Sequence, residues 1–277
     1  MDALQTDYAL LDKFIVAREA RVTNKEIPWE FSRYHVGSIR REDDTTTKLI
    51  YSLYTDNLDN PDIWLYPIIY RTINKWATIQ LLRPTDDLSS GRLQNFADYI
   101  DTMGQAGQPA LSRTSYITFH YKDSGSRLFE GIYLPLMAGK DFYRNIMQKG
   151  SPSDVIRFST AFTGIGELIA VEIAKDIQYL RLTSGEFTTG WDDFTTAWSS
   201  YYSYAALNML AGRHGEAYIP KAAYRAELDK ARFILGCNYT DYEMARALYF
   251  FGQMYWGDLV SHPEYIPSRA IKEGTLC

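Results

Sequence analysis

"AFTGIGELIAVEIAKD", residues 161–176, places a Gly-Ile-Gly turn between two runs with helical periodicity. Upstream, Ser151 or Ser153 is suited to cap a helix over about 152–161. Downstream, a helix over about 166–182 carries Leu168, Ile169, Ile173, Ile177 and Leu180 on its apolar side. The turn between them is Phe162-Thr163-Gly164-Ile165-Gly166, which is helix-hairpin-helix spacing. Its two glycines permit positive φ and leave N–H groups uncovered beside a helix N-terminus, a nest for a phosphate oxygen. A plain connection between two helices that happens to use two glycines is the simpler alternative.

Outward from this hairpin the helical period continues. Residues 6–20 set Tyr8, Leu11, Phe14 and Ile15 on one stripe, and a helix over about 38–54 puts Thr47, Ile50 and Tyr54 on a shared face. A third helix covers about 62–82 and is closed by Pro84; Pro67 lies inside it and marks either a kink or the true start. Further helices are expected over about 90–103, opened by a serine cap, and over 192–211, 220–235 and 240–259. Residues 113–135 are rich in β-branched and aromatic side chains around a Gly-Ser turn, which predicts a short β-hairpin or an irregular insertion. The expectation is a mostly α chain, residues 1–277 forming a single helical domain or two lobes, about 1–110 and 150–277, flanking a central cleft.

Composition narrows the function classes. The 277 residues are 46% hydrophobic, enough for a substantial core, and no run approaches a membrane span. The polar, acidic N-terminus is unlike a signal peptide, so the expected location is a cytoplasm, that of the host cell if the chain is viral. Two cysteines, Cys237 and Cys277, build neither a disulfide framework nor a zinc site, and the four histidines are scattered. No metal ligand is assigned and no cofactor is required, although a divalent ion is left open. A net charge of −5 argues against indiscriminate nucleic-acid binding but leaves room for a local basic patch. Aromatics at 15% suit a bulky helical core more readily than stacking surfaces.

Two segments concentrate charge. In residues 33–50, RYHVGSIRREDDTTTKLI, a helix would align Arg40, Asp43, Asp44 and Thr47. A solvated charged face is the plain reading. Asp43, however, shares its face with Thr47, Ile50 and Tyr54, so a carboxylate is expected where water is scarce and a partner is needed. The third helix is apolar nearly all round (Ile68, Ile69, Tyr70, Ile73, Trp76, Ile79), yet Arg71, Asn74, Lys75 and Thr78 fall at i, i+3, i+4 and i+7 as a polar stripe with two cations. The stripe could form an ion pair from Arg71 to Asp43 or Glu42, or an anion cradle for phosphate or pyrophosphate.

With GQPALSRTSYI at 107–117 and DIWLYPIIYRTINKW at 62–76, these segments resemble the helical family of α-glutamyl/putrescinyl thymine pyrophosphorylases, the amino acid:DNA transferases of phages with hypermodified thymines. That family shares its fold with the helical domain of 5-hydroxymethyluracil DNA kinases and is related to helix-hairpin-helix DNA glycosylases. Its ordered motifs correspond here to Arg41-Glu42-Asp43-Asp44, Arg71-Thr72-Ile73-Asn74 and Gly164-Ile165-Gly166. The resemblance implies a helix-hairpin-helix glycosylase-like fold. It also implies replacement of the pyrophosphate of 5-(pyrophosphoryloxymethyl)uracil in DNA by an amine or amino acid. Arg40, Arg41, Arg71, Asn74 and Lys75 would hold the pyrophosphate. Asp43 or Asp44, with Glu42 and Asp176 behind them, would take the proton of the incoming ammonium. Thr163, Gly164, Ile165 and Gly166 would touch the DNA backbone, and Tyr34, Trp76 and Trp191 would wall the flipped base.

The chain departs from that family at three places. Ser38 stands three residues before Arg41 where the family has Asn two before its Arg-Glu pair, Trp198-Ser199-Ser200-Tyr201 replaces a Gly-Pro-Gly turn, and RALYFFGQMYW replaces a cysteine-containing segment. The catalytic set and the amine used stay open. A monofunctional glycosylase using Glu186, Asp192 or Asp193 is one rival; lyase action is disfavoured because Glu167-Leu168-Ile169 follows the glycines with no lysine. A non-enzymatic DNA-binding module is the other. A kinase is excluded by the lack of a GxxxxGK[ST] loop.

Overall fold

The computed structural model describes residues 3–22, 44–85, 88–108, 110–111, 124–186, 201–213, 219, 221–236 and 239–255. In chain order the helices are α1 (Ala3–Val22), α2 (Thr45–Thr55), a 3-10 turn (Pro61–Leu65), α3 (Tyr66–Ile73), α4 (Trp76–Ile79), α5 (Ser90–Gln105) and α6 (Gly125–Leu128). A π turn (Phe129–Tyr133) then leads into α7 (Leu134–Ala138), followed by α8 (Lys140–Lys149), α9 (Pro152–Ser159), α10 (Glu167–Ser184), α11 (Tyr201–Leu210), α12 (Lys221–Leu235) and α13 (Asp241–Tyr255). The described residues are mostly helical and contain no strand.

Local chemistry explains the boundaries. Ser89 caps α5 by accepting from the Arg92 N–H, and Ser151, not Ser153, caps α9 in a capping box with Asp154. Pro67 sits in the first turn of α3, where its missing N–H costs nothing, so the proline marks a start and not a kink. The expected helix over 62–82 is in fact a 3-10 turn followed by two helices, and the break between α3 and α4 lies at Asn74, which enters the left-handed region (φ 44°, ψ 30°).

The expected β-hairpin is corrected where it can be seen: residues Gly125–Ala138 are helical, and 112–123 lie outside the described residues. The reason is tertiary. Ser124 caps α6, and the Asp101 carboxylate on α5 accepts from the N–H groups of Gly125 and Ser126 at 2.8 and 2.9 Å. That capping outweighs the β preference of the aromatic residues.

The chain forms two compact units, one of Met1–Asp44 with Thr195–Cys277 and a central one of Thr45–Phe194. The divisions therefore fall near residues 44 and 194, not between 110 and 150 as the sequence suggested. In the terminal unit α1 buries Leu11, Phe14 and Ile15 against Leu207, Leu228, Leu248 and Phe251 of the C-terminal helices. Each such side chain contributes about 1.5–3 kcal/mol by leaving water. The central unit is built on α3, buried along its whole length, with Ile50 and Tyr54 of α2 and Ile169, Ile173, Ile177 and Leu180 of α10 packed in the same core.

Candidate functional site

The centre of this unit is polar. On α10, Ile169, Ile173, Asp176 and Leu180 follow one another at spacings of four, three and four, which is one helical stripe, and all are buried. Asp176 is 0% exposed and Arg71 on α3 is 6% exposed. They form a two-pronged ion pair: Arg71 Nε donates to Asp176 Oδ2 at 2.7 Å and Nη2 to Oδ1 at 2.8 Å. From α2, the Tyr54 hydroxyl donates to Asp176 Oδ2 at 3.1 Å, and Thr47 Oγ1 accepts from Arg71 Nη2 at 3.3 Å. Two charges taken from water are compensated here by matched fork geometry and by satisfied neighbours. The cluster ties three helices together.

The partner that Arg71 has among the described residues is Asp176; Asp43 and Glu42, the partners expected for it, lie outside the described residues. Asp176, named above only as a reserve proton acceptor, is fully buried on the apolar stripe of α10.

Tyrosines surround the cluster. Tyr54 stacks on Tyr70 (5.9 Å between centroids), Tyr70 meets Tyr66 edge-on at 5.2 Å, and Tyr51 stacks on Tyr179 at 3.7 Å. Burial, reinforced for Tyr54 by the Asp176 carboxylate, pushes the phenols of Tyr54 and Tyr70 above their ordinary value. Folded Tyr54 and Tyr70 thus stay neutral where the unfolded chain's tyrosines ionise, near pH ~10. Their contribution is complete below that pH and is lost above it. Urea unfolding between pH 8 and 11.5 should show stability falling only in the alkaline limb, less steeply in Tyr54→Phe; an unchanged slope in that variant would refute the assignment.

The expected stripe Arg71, Asn74, Lys75, Thr78 does not lie on one helix. Asn74 is the C-cap of α3, with its N–H bonded to Tyr70 O at 2.8 Å, and Lys75 is extended (φ −132°, ψ 112°) as the N-cap of α4. Asn74, Lys75 and Trp76 are half-buried, while Thr78 is buried and donates to Ala110 O at 2.5 Å. Asp44 is half-buried just before α2. Arg40, Arg41, Glu42, Asp43, Tyr34, Trp191, Asp192 and Asp193 lie outside the described residues.

At the hairpin, Phe162 and Ile165 are buried and anchor the turn, while Thr163 and Gly166 are exposed. Gly164 has φ +80°; Gly166 is extended (φ −82°, ψ 173°), so only one of the two glycines uses the left-handed region. Gly166 is the N-cap of α10, without a side-chain capping bond, and a Cβ added there would meet nothing within 4 Å. Exposed Glu167 in the first turn suits the helix dipole. Spacing alone missed Arg181, buried on α10, whose Nη2 donates to Met147 O at 3.0 Å and Gly150 O at 2.9 Å and so ties the end of α8 to the hairpin helix. It also missed buried Asp62, which holds Lys140, Arg144 and the Leu88 N–H. The signal for Arg181 was its position four residues after Ile177 on an apolar stripe.

The chain matches no protein-family model, no curated protein and no solved structure. Its residues alone carry the functional reading. Among the described residues no group of three or more His, Cys, Asp or Glu side chains could hold a metal ion, and no helix is long and apolar enough to cross a membrane. Glu186, named for hydrolytic base release, is exposed and hydrogen-bonded to Gln148 at 3.1 Å.

Proposed function

We propose that the chain has a helix-hairpin-helix DNA-glycosylase-like fold and transfers an amine or amino acid onto the methyl carbon of 5-(pyrophosphoryloxymethyl)uracil in DNA. The observation that carries this reading is the hairpin. α9, capped by Ser151, and α10 flank a turn anchored by Phe162 and Ile165, and the start of α10 at Gly166, which has no side-chain cap, is open to a phosphate oxygen. In the reaction the amine nitrogen bonds to the methyl carbon, the carbon–oxygen bond to pyrophosphate breaks with its electron pair, and the ammonium proton passes to a carboxylate. Asp43 or Asp44 takes that proton, with Glu42 beside them. Arg40, Arg41 and Lys75 stabilise the leaving charge. Arg71 and Asp176 act on this reading as positioning residues, since each already satisfies the other inside the core.

The test is mass spectrometry of nucleosides from DNA bearing 5-(pyrophosphoryloxymethyl)uracil after incubation with the chain and a mixture of glycine, serine, glutamate and putrescine. A nucleoside with the mass of an amine adduct is expected, and it should be absent with the Asp43→Asn, Asp44→Asn double variant. Unchanged DNA sinks the transferase reading for these amines; abasic sites put base hydrolysis in its place.

A further inference from the structure

Phe142 on α8 is 51% exposed, although its ring belongs to a chain of aromatic contacts that starts in the core. Phe162, the buried anchor of the hairpin turn, meets Tyr143 at 4.8 Å between ring centroids, Tyr143 meets Phe142 edge-on at 5.3 Å, and Phe142 meets half-buried Phe158 of α9 edge-on at 5.1 Å. Both neighbours stand nearly perpendicular to Phe142, at 75° and 83°, so among the described residues no ring lies parallel on it. The Arg157 guanidinium lies 4.6 Å from the Phe158 centroid and is 69% exposed. Among the described residues it bonds through Nη2 alone, to Asp154 Oδ1. The nearby carboxylates are each matched, Asp141 by Arg144 at 3.0 Å and Asp154 by Arg157, so the face is not an acidic one. A lone exposed phenylalanine needs no explanation. This one is joined through Phe158 to an exposed guanidinium and stands two ring contacts from the hairpin turn, a pairing of π-face and cation that suits unpaired nucleic acid.

We propose that Phe142, Phe158 and Arg157 form a stacking step for one unpaired base of a DNA strand whose phosphate is held at the hairpin, so that the chain engages DNA opened at that point and not intact duplex. This rests on the phosphate role of the hairpin and is independent of the transfer chemistry. In a duplex both faces of every base are covered by its neighbours, so a ring fixed beside the hairpin finds a π-face only on a base that has left the stack. The base lies on Phe142, Phe158 holds that ring by its perpendicular contact, and Arg157 offers its Nε and Nη1 donors to the next phosphate along the strand. The step is distinct from the pocket that takes the reacting base.

The experiment is fluorescence anisotropy of a labelled thymidine-rich oligonucleotide, single-stranded or annealed to its complement, titrated with the full chain. The parent is expected to bind the single strand more tightly than the duplex. Phe142→Ala should weaken single-strand binding about tenfold and leave duplex binding within about twofold, while Phe142→Trp, which keeps a π-face, should bind the single strand at least as well as the parent. Arg157→Gln should make the fall of log affinity with log salt shallower by about 0.7 for the single strand. Circular dichroism checks that each variant is folded. Unchanged single-strand binding by Phe142→Ala, or equal losses on both forms of DNA, overturns the stacking step; so does a dimer in sedimentation that Phe142→Ala dissolves, since a second copy of the chain then covers the ring. The hairpin is tested separately by Gly166→Asp, whose carboxylate caps α10 and fills the nest. Duplex binding that Gly166→Asp abolishes, with no preference for the single strand, leaves the hairpin reading standing and removes the stacking step; no DNA binding by the parent removes both.

Discussion

Asp176→Ala lowers the stability of the central unit by about 3–5 kcal/mol, because it leaves the Arg71 guanidinium buried without its counter-charge. The midpoint of thermal unfolding should fall by on the order of 10 °C. The comparison with an exposed pair makes this a sharp test: Arg157 and Asp154 are also bridged, at 2.8 Å, but Arg157 is 69% exposed, and breaking such a pair costs about 1 kcal/mol at most. The double variant Arg71→Met, Asp176→Leu removes both charges while keeping bulk, and should regain much of what either single change loses. Tyr54→Phe, which removes a single hydrogen bond to Asp176, should cost only about 1 kcal/mol. If Asp176→Ala loses less than about 1 kcal/mol, the pair does not hold these three helices together.

Gly252→Ala is the second large effect, and it acts on the terminal unit. A Cβ at Gly252 on α13 would stand 2.1 Å from Tyr202 O and 2.8 Å from its carbonyl carbon, both backbone atoms of α11. No rotamer change relieves a clash with backbone, so the two helices must separate and lose part of the packing around Leu207, Leu248 and Phe251. Overpacking of this kind costs about 3 kcal/mol, of which the better helix propensity of alanine returns about 1 kcal/mol. Urea unfolding followed by circular dichroism should show a net loss of about 2 kcal/mol or more. Gly166→Ala is the control: its φ suits any residue and its surroundings are open, so its stability should stay near that of the parent. Equal stability of both variants would mean that α11 and α13 do not approach as closely as described.

Helices were legible wherever a residue's neighbours in sequence decide the outcome. Caps by Ser89 and Ser151, the proline at 67, and the apolar stripes of α1 and α10 are local signals, and the structure uses them. The candidate site was legible only in part. Thr47, Ile50 and Tyr54 do share a buried face, and Arg71 does lie in an apolar helix. What spacing could not supply was the partner, since Asp176 lies 105 residues away from Arg71. The break at Asn74 was equally hidden, because asparagine tolerates both helix and left-handed turn and nothing nearby in sequence selects one.

By itself the sequence determined a mostly helical chain, where α1, α5, α9, α10 and α12 begin and end to within about three residues, the glycine hairpin at 162–166 and which faces are apolar. These follow from period, capping and backbone sterics, all of which act within a few residues. Tertiary structure alone decided that the two ends of the chain pack into one unit, that residues 125–138 are helical, that α3 stops at Asn74 and that Arg71 is held by Asp176. Each of these is a contact between distant segments, and its free energy depends on which groups are removed from water together, a quantity that no local pattern contains.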